Sequence, residues 1–539
     1  MSVTPPALAL RARVAAAADR GPLGDALSLD LLTGGPIARE RVAVLWSDTD
    51  ALRELALAKR APLDPALVRE LSEYHRRLGA SPTTLANLDR LARGEVVATV
   101  AGQQPAPLGG PLYSLHKTAS TIGLAHEVAR RTGVACVPLF WMHGEDSDFA
   151  EIRGVSVADD AMQLHDLQLP DVAHRDGQMV GGIAIEHVRA LGVQALAAWQ
   201  GLPSHAAALT LWERSLAHAR DLGEAFSALW LALFAEQGLV VVDPRLPAFR
   251  AAARPIIDRY LAQADSLHAA ARQAGVRMEA LTGRRALNDA SLESFVFEVH
   301  DGMRHKVAAS EARARAADVT LSPSVALRPA VQDGVFPTVA MACGPGEIAY
   351  LMQLREVFEG VGVRPAAPAL RFGATWLPPA AVSLVEAAGG DVWEVVTHTD
   401  AVLARLAEAH VPPDLQQAVA AARAAIDQAL ARLADQAGTF DSSLPQMVES
   451  ARGKMDFQVT RLAEGVLGKA RGRLDREHPL WKRLRYVLWP GDKLQERRLT
   501  SLEPVARRGP AVIAELCELA TEHAARTATG VHEHHVLEA

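Results

Sequence analysis

Two short apolar runs, residues 96–101 (VVATVA) and 136–142 (CVPLFWM), constrain this chain more than any other feature. Between them lie a polar loop carrying two amides and a Gly-Gly pair, then a segment of helical spacing over about 112–131. A third run, GLVVVD at 238–243, ends in an acid, Asp243. Fully apolar strands alternating with helices predict βαβ units and a buried parallel sheet. Ligands of such sheets bind beyond the carboxyl ends of the strands. Both polar clusters of this region, 102–110 and 144–148, fall at those ends.

The residue types in each cluster point to chemistry. Gly109 and Gly110 lack a Cβ, so backbone there can approach a ligand closely. Pro111 suits the first position of a helix, and the free N–H groups of a helix start favour an anion, with Lys117 about two turns further on. A tight turn with no ligand accounts for the same residues equally well. The loop has neither GxGxxG nor a Walker lysine, which argues against a standard dinucleotide or P-loop site. Glu145, Asp146 and Asp148 crowd three carboxylates into four positions, where like charges perturb one another. That pattern suits an amine, another cationic group or a metal. A solvated strand end with helix-capping acids is the plain alternative.

Taken together these segments are more specific. GQQPxxLGGPLYxLxKxxSxI (102–122), followed by PxFWxxGEDxDFxEI (138–152), resembles the bacillithiol biosynthesis cysteine-adding enzyme family, the cysteine ligases. Residues 321–354, LSPSVALRPAVQDGVFPTVAMACGPGEIAYLMQL, resemble that family's second signature, and Pro490-Gly491 with Gln495-Glu496-Arg497 its third. The resemblance implies a Rossmann-like α/β core similar to class I aminoacyl-tRNA synthetases and nucleotidylyltransferases, with insertions and an antiparallel coiled-coil domain used for homodimerisation. It implies that cysteine is added to the amine of glucosaminyl-malate, forming an amide in the last step to bacillithiol.

On this reading Glu145, Asp146 and Asp148 position or deprotonate the amine. Gly102, Gln103, Gln104, Gly109, Gly110, Tyr113 and Lys117 meet substrate from the first signature. Ser322, Arg328, Gln332, Asp333, Gly346, Glu347 and Tyr350 meet it from the second. Arg328 and Arg371 hold the malate carboxylates in bidentate pairs, and Asp243 is a further binding residue. The cysteine carboxyl needs activation, so ATP as activator or bound nucleotide stays open, with no clear KMSKS-type loop to decide it. Two departures stand out. Ser147 occupies a position usually His in the family, for which His143 is a conceivable substitute, and Ser324 replaces an amide.

Composition bounds the rest. At 539 residues the chain exceeds one compact core. A net charge of −7 argues against a general nucleic-acid binder. Cys136, Cys343 and Cys517 are far apart and form no disulfide framework, which fits a reduced cytoplasm. No signal-peptide region or membrane-length apolar window is evident.

Four regions are expected. Residues 1–94 form a helical lead-in and 95–375 the core. Within the core, an insertion over about 150–205 lacks long helices and has short strands or loops near 155–157, 164–169 and 181–185. Residues 376–480 form a coiled coil, and 481–539 return to the core. A helix is expected over 255–274, the block 322–346 is dense in proline and glycine, and residues 344–347 are expected to open a helix over 348–358. In the coiled-coil region, apolar residues recur at steps of three and four from Leu415 to Leu474, making a hairpin joined near 438–443. Lys482, Arg485 and Trp489 form a basic, aromatic stretch that stacks on a nucleotide or packs internally. His532, His534 and His535 have metal-like spacing, but a polar terminus predicts a frayed tail, so no metal site is assigned. The rival readings are a nucleotidyl-transferring or tRNA-modifying ligase and a non-catalytic coiled-coil scaffold or thiol-binding module.

Overall fold

The structure, a computed structural model, describes residues 12–16, 25–283, 285–315, 319–387, 391–477 and 479–538. Five strands form a parallel sheet: β1 (Val97–Gln103), β2 (Cys136–Met142), β3 (Val240–Val242), β4 (Thr338–Cys343) and β5 (Ala367–Leu370). Their spatial order is β5-β4-β1-β2-β3. This is a Rossmann-like doubly wound order, and its winding reverses between β1 and β4, where such folds open a crevice.

Both faces of the sheet are covered, which is why its strands read as unbroken apolar runs. Ala98 and Val100 of β1 join Leu139, Trp141, Phe249 and Ile256 in one core. Val97 and Ala101 join Leu124, Val128, Ala340 and Ala524 in another. The crossover helix α1 (Leu112–Thr132) supplies Leu124 and Val128, and α2 (Pro247–Ala262) supplies Phe249 and Ile256.

Several expectations are corrected. The block 322–346, to which no elements were assigned before Gly344, holds α3 (Arg328–Val335) and the central strand β4, and the expected helix after Gly344 is α4 (Pro345–Gln353). Proline framed these elements and did not break them, with Pro329 in the first turn of α3 and Pro337 just before β4. The insertion contains a helix, Ile185–Ala198, where a strand or loop was expected at its start. Its buried Val188, Leu191, Ala195 and Leu196 follow the helical period. The strands expected there are Gly154–Ala158 and Leu164–Gln168, paired antiparallel. Pro255 lies inside α2 and does not open a helix, and a separate helix, Ala264–Thr282, follows. The histidine-rich terminus is not frayed: Glu533–Glu538 is a strand between Ala12–Ala16 and Gly373–Leu377, with His534 and His535 buried.

The chain divides into two compact units, Met1–Trp376 with Asp492–Ala539, and Leu377–Gly491. In the second, α5 (Pro413–Phe440) and α6 (Leu444–Glu477) make a helical hairpin, its turn held by Asp441 Oδ1 accepting from Ser443 N and Oγ. Arg485 pairs with Asp400, and Trp489 Nε1 donates to the Val396 carbonyl. Of the two arrangements expected for this stretch, the one seen for Arg485 and Trp489 is packing within their own unit. The side chain of Lys482 lies outside the described residues.

Candidate functional site

A cleft of about 410 Å³ opens beyond the carboxyl ends of β1 and β4, at the reversal of winding. Its size is that of a small-molecule site. Its wall is polar and charged on both sides, and it is built from three strand ends.

At the end of β1, Gln103 and Gln104 enter the cleft. Gln103 Nε2 donates to Tyr113 Oη at 2.9 Å, which fixes that ring from the first turn of α1. Lys117 also reaches the cleft, but its three donors are engaged by the Gly102 carbonyl (2.9 Å), Gln103 Oε1 (3.1 Å) and Glu347 Oε2 (2.9 Å). Glu347 in turn accepts from Gly344 N at 2.9 Å, capping α4. Lys117 and Glu347 are therefore a clamp between the ends of β1 and β4, and neither is a vacant ligand for substrate. Gly346 and Tyr350 line the cleft beside them, and burial together with Glu347 raises the Tyr350 hydroxyl well above its ordinary range.

The three acids after β2 diverge. Glu145 is buried and turns inward, accepting from Ser322 Oγ (2.8 Å) and Arg250 Nη2 (3.0 Å). Asp148 caps the short helix Phe149–Ile152 through Glu151 N, so the capping alternative describes it. Only Asp146 lines the cleft, 3.9 Å from Arg328 Nη1. Glu151, which sequence reasoning passed over, joins it there. Burial raises the Glu151 carboxyl, the neighbouring Asp146 and Asp148 add to that, and Gln104 hydrogen-bonds it. Its signal was the helical step of three from Asp148. Ser147 is outside the cleft lining, whereas His143 is part of it.

Other expected contacts are structural. The start of α1 is covered by residues 499–501. Leu112 N donates to the Leu499 carbonyl at 2.7 Å, Ser501 N to the Gly110 carbonyl at 2.7 Å, and Thr500 Oγ1 to the Leu108 carbonyl at 2.6 Å. Leu108, Gly109 and Gly110 all have positive φ (55°, 82° and 68°), and a Cβ at Gly109 would strike the Trp230 ring. These glycines serve a chain crossing. Asp243 is buried against Arg245, Gln332 donates to Asp333, and Asp333 accepts from Thr338 Oγ1 and Ala366 N. None of these three lines the cleft.

Arg371 is at the cleft edge but committed. Its guanidinium pairs with buried Glu496, Nη1 reaching Oε2 at 2.9 Å, and Glu496 Oε2 also meets His116 Nδ1 at 3.0 Å. Burial alone would raise the Glu496 carboxyl, but Arg371 and His116 hold it well below the carboxylate range. The free cation on this side is Arg497, next in sequence, whose side chain has no hydrogen-bond or ion-pair partner among the described residues. The sequence reading gave the cleft role to Arg371 and named Arg497 only within the Gln495-Glu496-Arg497 signature.

Cleft geometry and fold define an α/β enzyme with a charged small-molecule site at a Rossmann-like switch point. Family models match over residues 47–371 (bacillithiol biosynthesis BshC, N-terminal Rossmann-like domain) and 374–528 (bacillithiol biosynthesis BshC, C-terminal coiled-coil domain). Curated relatives include proteins named "Putative cysteine ligase BshC". That of Koribacter versatilis is 30% identical over 84% of this chain and 86% of its own length. That of Geobacillus kaustophilus is 30% identical over 88% and 92%, and that of Solibacter usitatus 30% over 81% and 85%. The chain belongs to the BshC family of bacillithiol biosynthesis and is an enzyme of the ligase type. Among the described residues, no helix is long and apolar enough to cross a membrane, and no group of His, Cys, Asp and Glu is arranged to hold a metal.

Proposed function

We propose that this protein joins the carboxyl of L-cysteine to the amine of glucosaminyl-malate, forming the amide that completes bacillithiol. The carrying observation is the set of charged groups that the cleft presents. Arg328 and Arg497 present lightly engaged guanidinium groups, while Asp146 and Glu151 present carboxylates. Guanidinium groups suit the malate carboxylates, and the acids suit an ammonium group. The names of the relatives support cysteine as the group added. In this reading Arg497 takes the role first expected of Arg371, and Glu145 supports the cleft from behind. Joining a carboxylate to an amine in water is uphill, so the cysteine carboxyl is activated first, as an adenylate or related acyl donor. The partners are small molecules, and a net charge of −7 supplies no basic field for nucleic acid. The test is product formation by purified protein from cysteine and glucosaminyl-malate, read by mass spectrometry with and without ATP.

The working unit in this reading is a homodimer joined through α5 and α6. Leu433, Met447, Phe457 and Leu462 are all more than half exposed on this hairpin. Ile426, Met455, Phe457 and Val459 border one groove. Burying each such side chain contributes about 1.5–3 kcal/mol, so a few per copy sustain association. Light scattering is expected to give a dimer mass for the native protein and a monomer mass for Phe457→Glu. A monomeric native protein at micromolar concentration would remove the dimer.

A further inference from the structure

The cleft holds one imidazole, and the clamps described above do not use it. His143 follows β2 directly, and its backbone N donates to the Gln103 carbonyl at 2.8 Å, which ties it to the end of β1. Its half-buried side chain crosses over Gly102, where any Cβ would collide with Nε2. Glycine at 102 is thus what lets the ring reach the cleft. Among the described residues, neither ring nitrogen holds a hydrogen bond. The cations that act on it are Arg328, Lys117 and Arg304, and the carboxylates of Asp146, Glu151 and Glu347 line the same cleft.

We infer that His143 is the proton acceptor of the ligation step, taking the proton from the amine as it attacks the activated acyl carbon. This rests on the ligase reading above. The co-reactant is an acyl donor of the phosphoric-anhydride class. The amine lone pair forms the C–N bond, the C–O bond to the phosphate breaks with its electron pair leaving on phosphate, and the amine proton passes to His143 Nε2.

The other ionisable groups of the cleft fit this step less well. Lys117 is a saturated cation, and Asp146 and Glu151 are placed to accept hydrogen bonds from the amine N–H groups and so orient it. A neutral imidazole has a free ring nitrogen to accept a proton near neutral pH. Burial, with Arg328, Lys117 and Arg304, does keep it neutral, holding it well below its ordinary value.

The experiment measures kcat against pH for the full-length protein, His143→Gln and Gly102→Ala, with substrate binding read separately by calorimetry. For the native protein, kcat should rise through an acid limb centred below pH 6.5, and its absence would overturn the proposal. His143→Gln should lose about 10²–10⁴-fold in kcat, the range for a positioned acid–base group, while binding glucosaminyl-malate within a few-fold. Its residual rate should lack the acid limb. Gly102→Ala keeps the imidazole but pushes it aside, and should lose kcat as well, which guards against misfolding of the first variant. A His143→Gln enzyme within threefold of native, with the limb retained, removes His143 as acceptor and leaves the ligase reading intact. A native protein that forms no amide overturns both.

Discussion

Glu496→Gln is expected to destabilise the protein by about 3–5 kcal/mol, the cost of breaking a buried ion pair on one side. Glu496 is 5% exposed and joins Arg371 of the cleft edge to His116 of α1. Neutralising it removes the paired charge of the interior Arg371 cation, leaving the Phe372 carbonyl, the amide oxygen of the substituted side chain and the more distant Glu347. Thermal or denaturant unfolding measures the loss, and a change below 1 kcal/mol would show that the pair is idle.

The pH dependence follows from the same group. The folded carboxyl titrates well below its unfolded counterpart of about 4.3. Its contribution is therefore complete above pH ~4.3 and is lost as pH falls through the folded value. Buried His116 acts in the same direction from higher pH. Burial lowers its folded value, opposed in part by Glu496, so stability declines once pH drops below ~6.5. Glu496→Gln should unfold with a flatter acid dependence below pH ~4.3 than the native protein.

Two neighbouring acids are expected to separate activity from stability. Asp146→Asn removes a charge that faces the cleft and holds only a 3.9 Å pair to Arg328 and a bond from Asp148 N. Its loss should lower kcat/KM by about 10- to 100-fold, the size of a charge-assisted contact, with the melting temperature unchanged. Glu145→Gln removes the pairing with Arg250 behind the cleft while a Ser322 contact survives. It should cost about 1–3 kcal/mol of stability and affect turnover less. Enzyme kinetics and calorimetry on both variants decide the matter. If Asp146→Asn kept full activity, the acid side of the cleft would be misassigned.

How much of this was legible in the sequence depends on how local each feature is. β1, β2 and β3 were readable because strands covered on both faces are apolar throughout. β4 was not picked out because TVAMAC sits among prolines and glycines that drew the reading to turns and fixed backbone angles. The crowding of Glu145, Asp146 and Asp148 located the cleft but not the roles. One turn sends the first inward to Ser322, the second into the cleft and the third onto a helix cap, and spacing alone does not give those directions. The glycines after β1 were conspicuous, yet they make room for residues 499–501, nearly 400 positions away. Glu496 meets Arg371 across 125 positions and His116 across 380, so no local pattern announces that Arg371 is engaged and Arg497 free. Likewise, the terminal histidines are buried by strand pairing with 12–16 and 373–377, not by anything in their own segment.

The central claim is the reaction itself, and its most direct measurement is mass spectrometry of the purified protein incubated with cysteine, glucosaminyl-malate and ATP. The expected result is a species heavier than glucosaminyl-malate by one cysteine residue, formed by the native protein and suppressed in Asp146→Asn. A folded native protein that forms no such amide, with ATP or without it, would contradict the account.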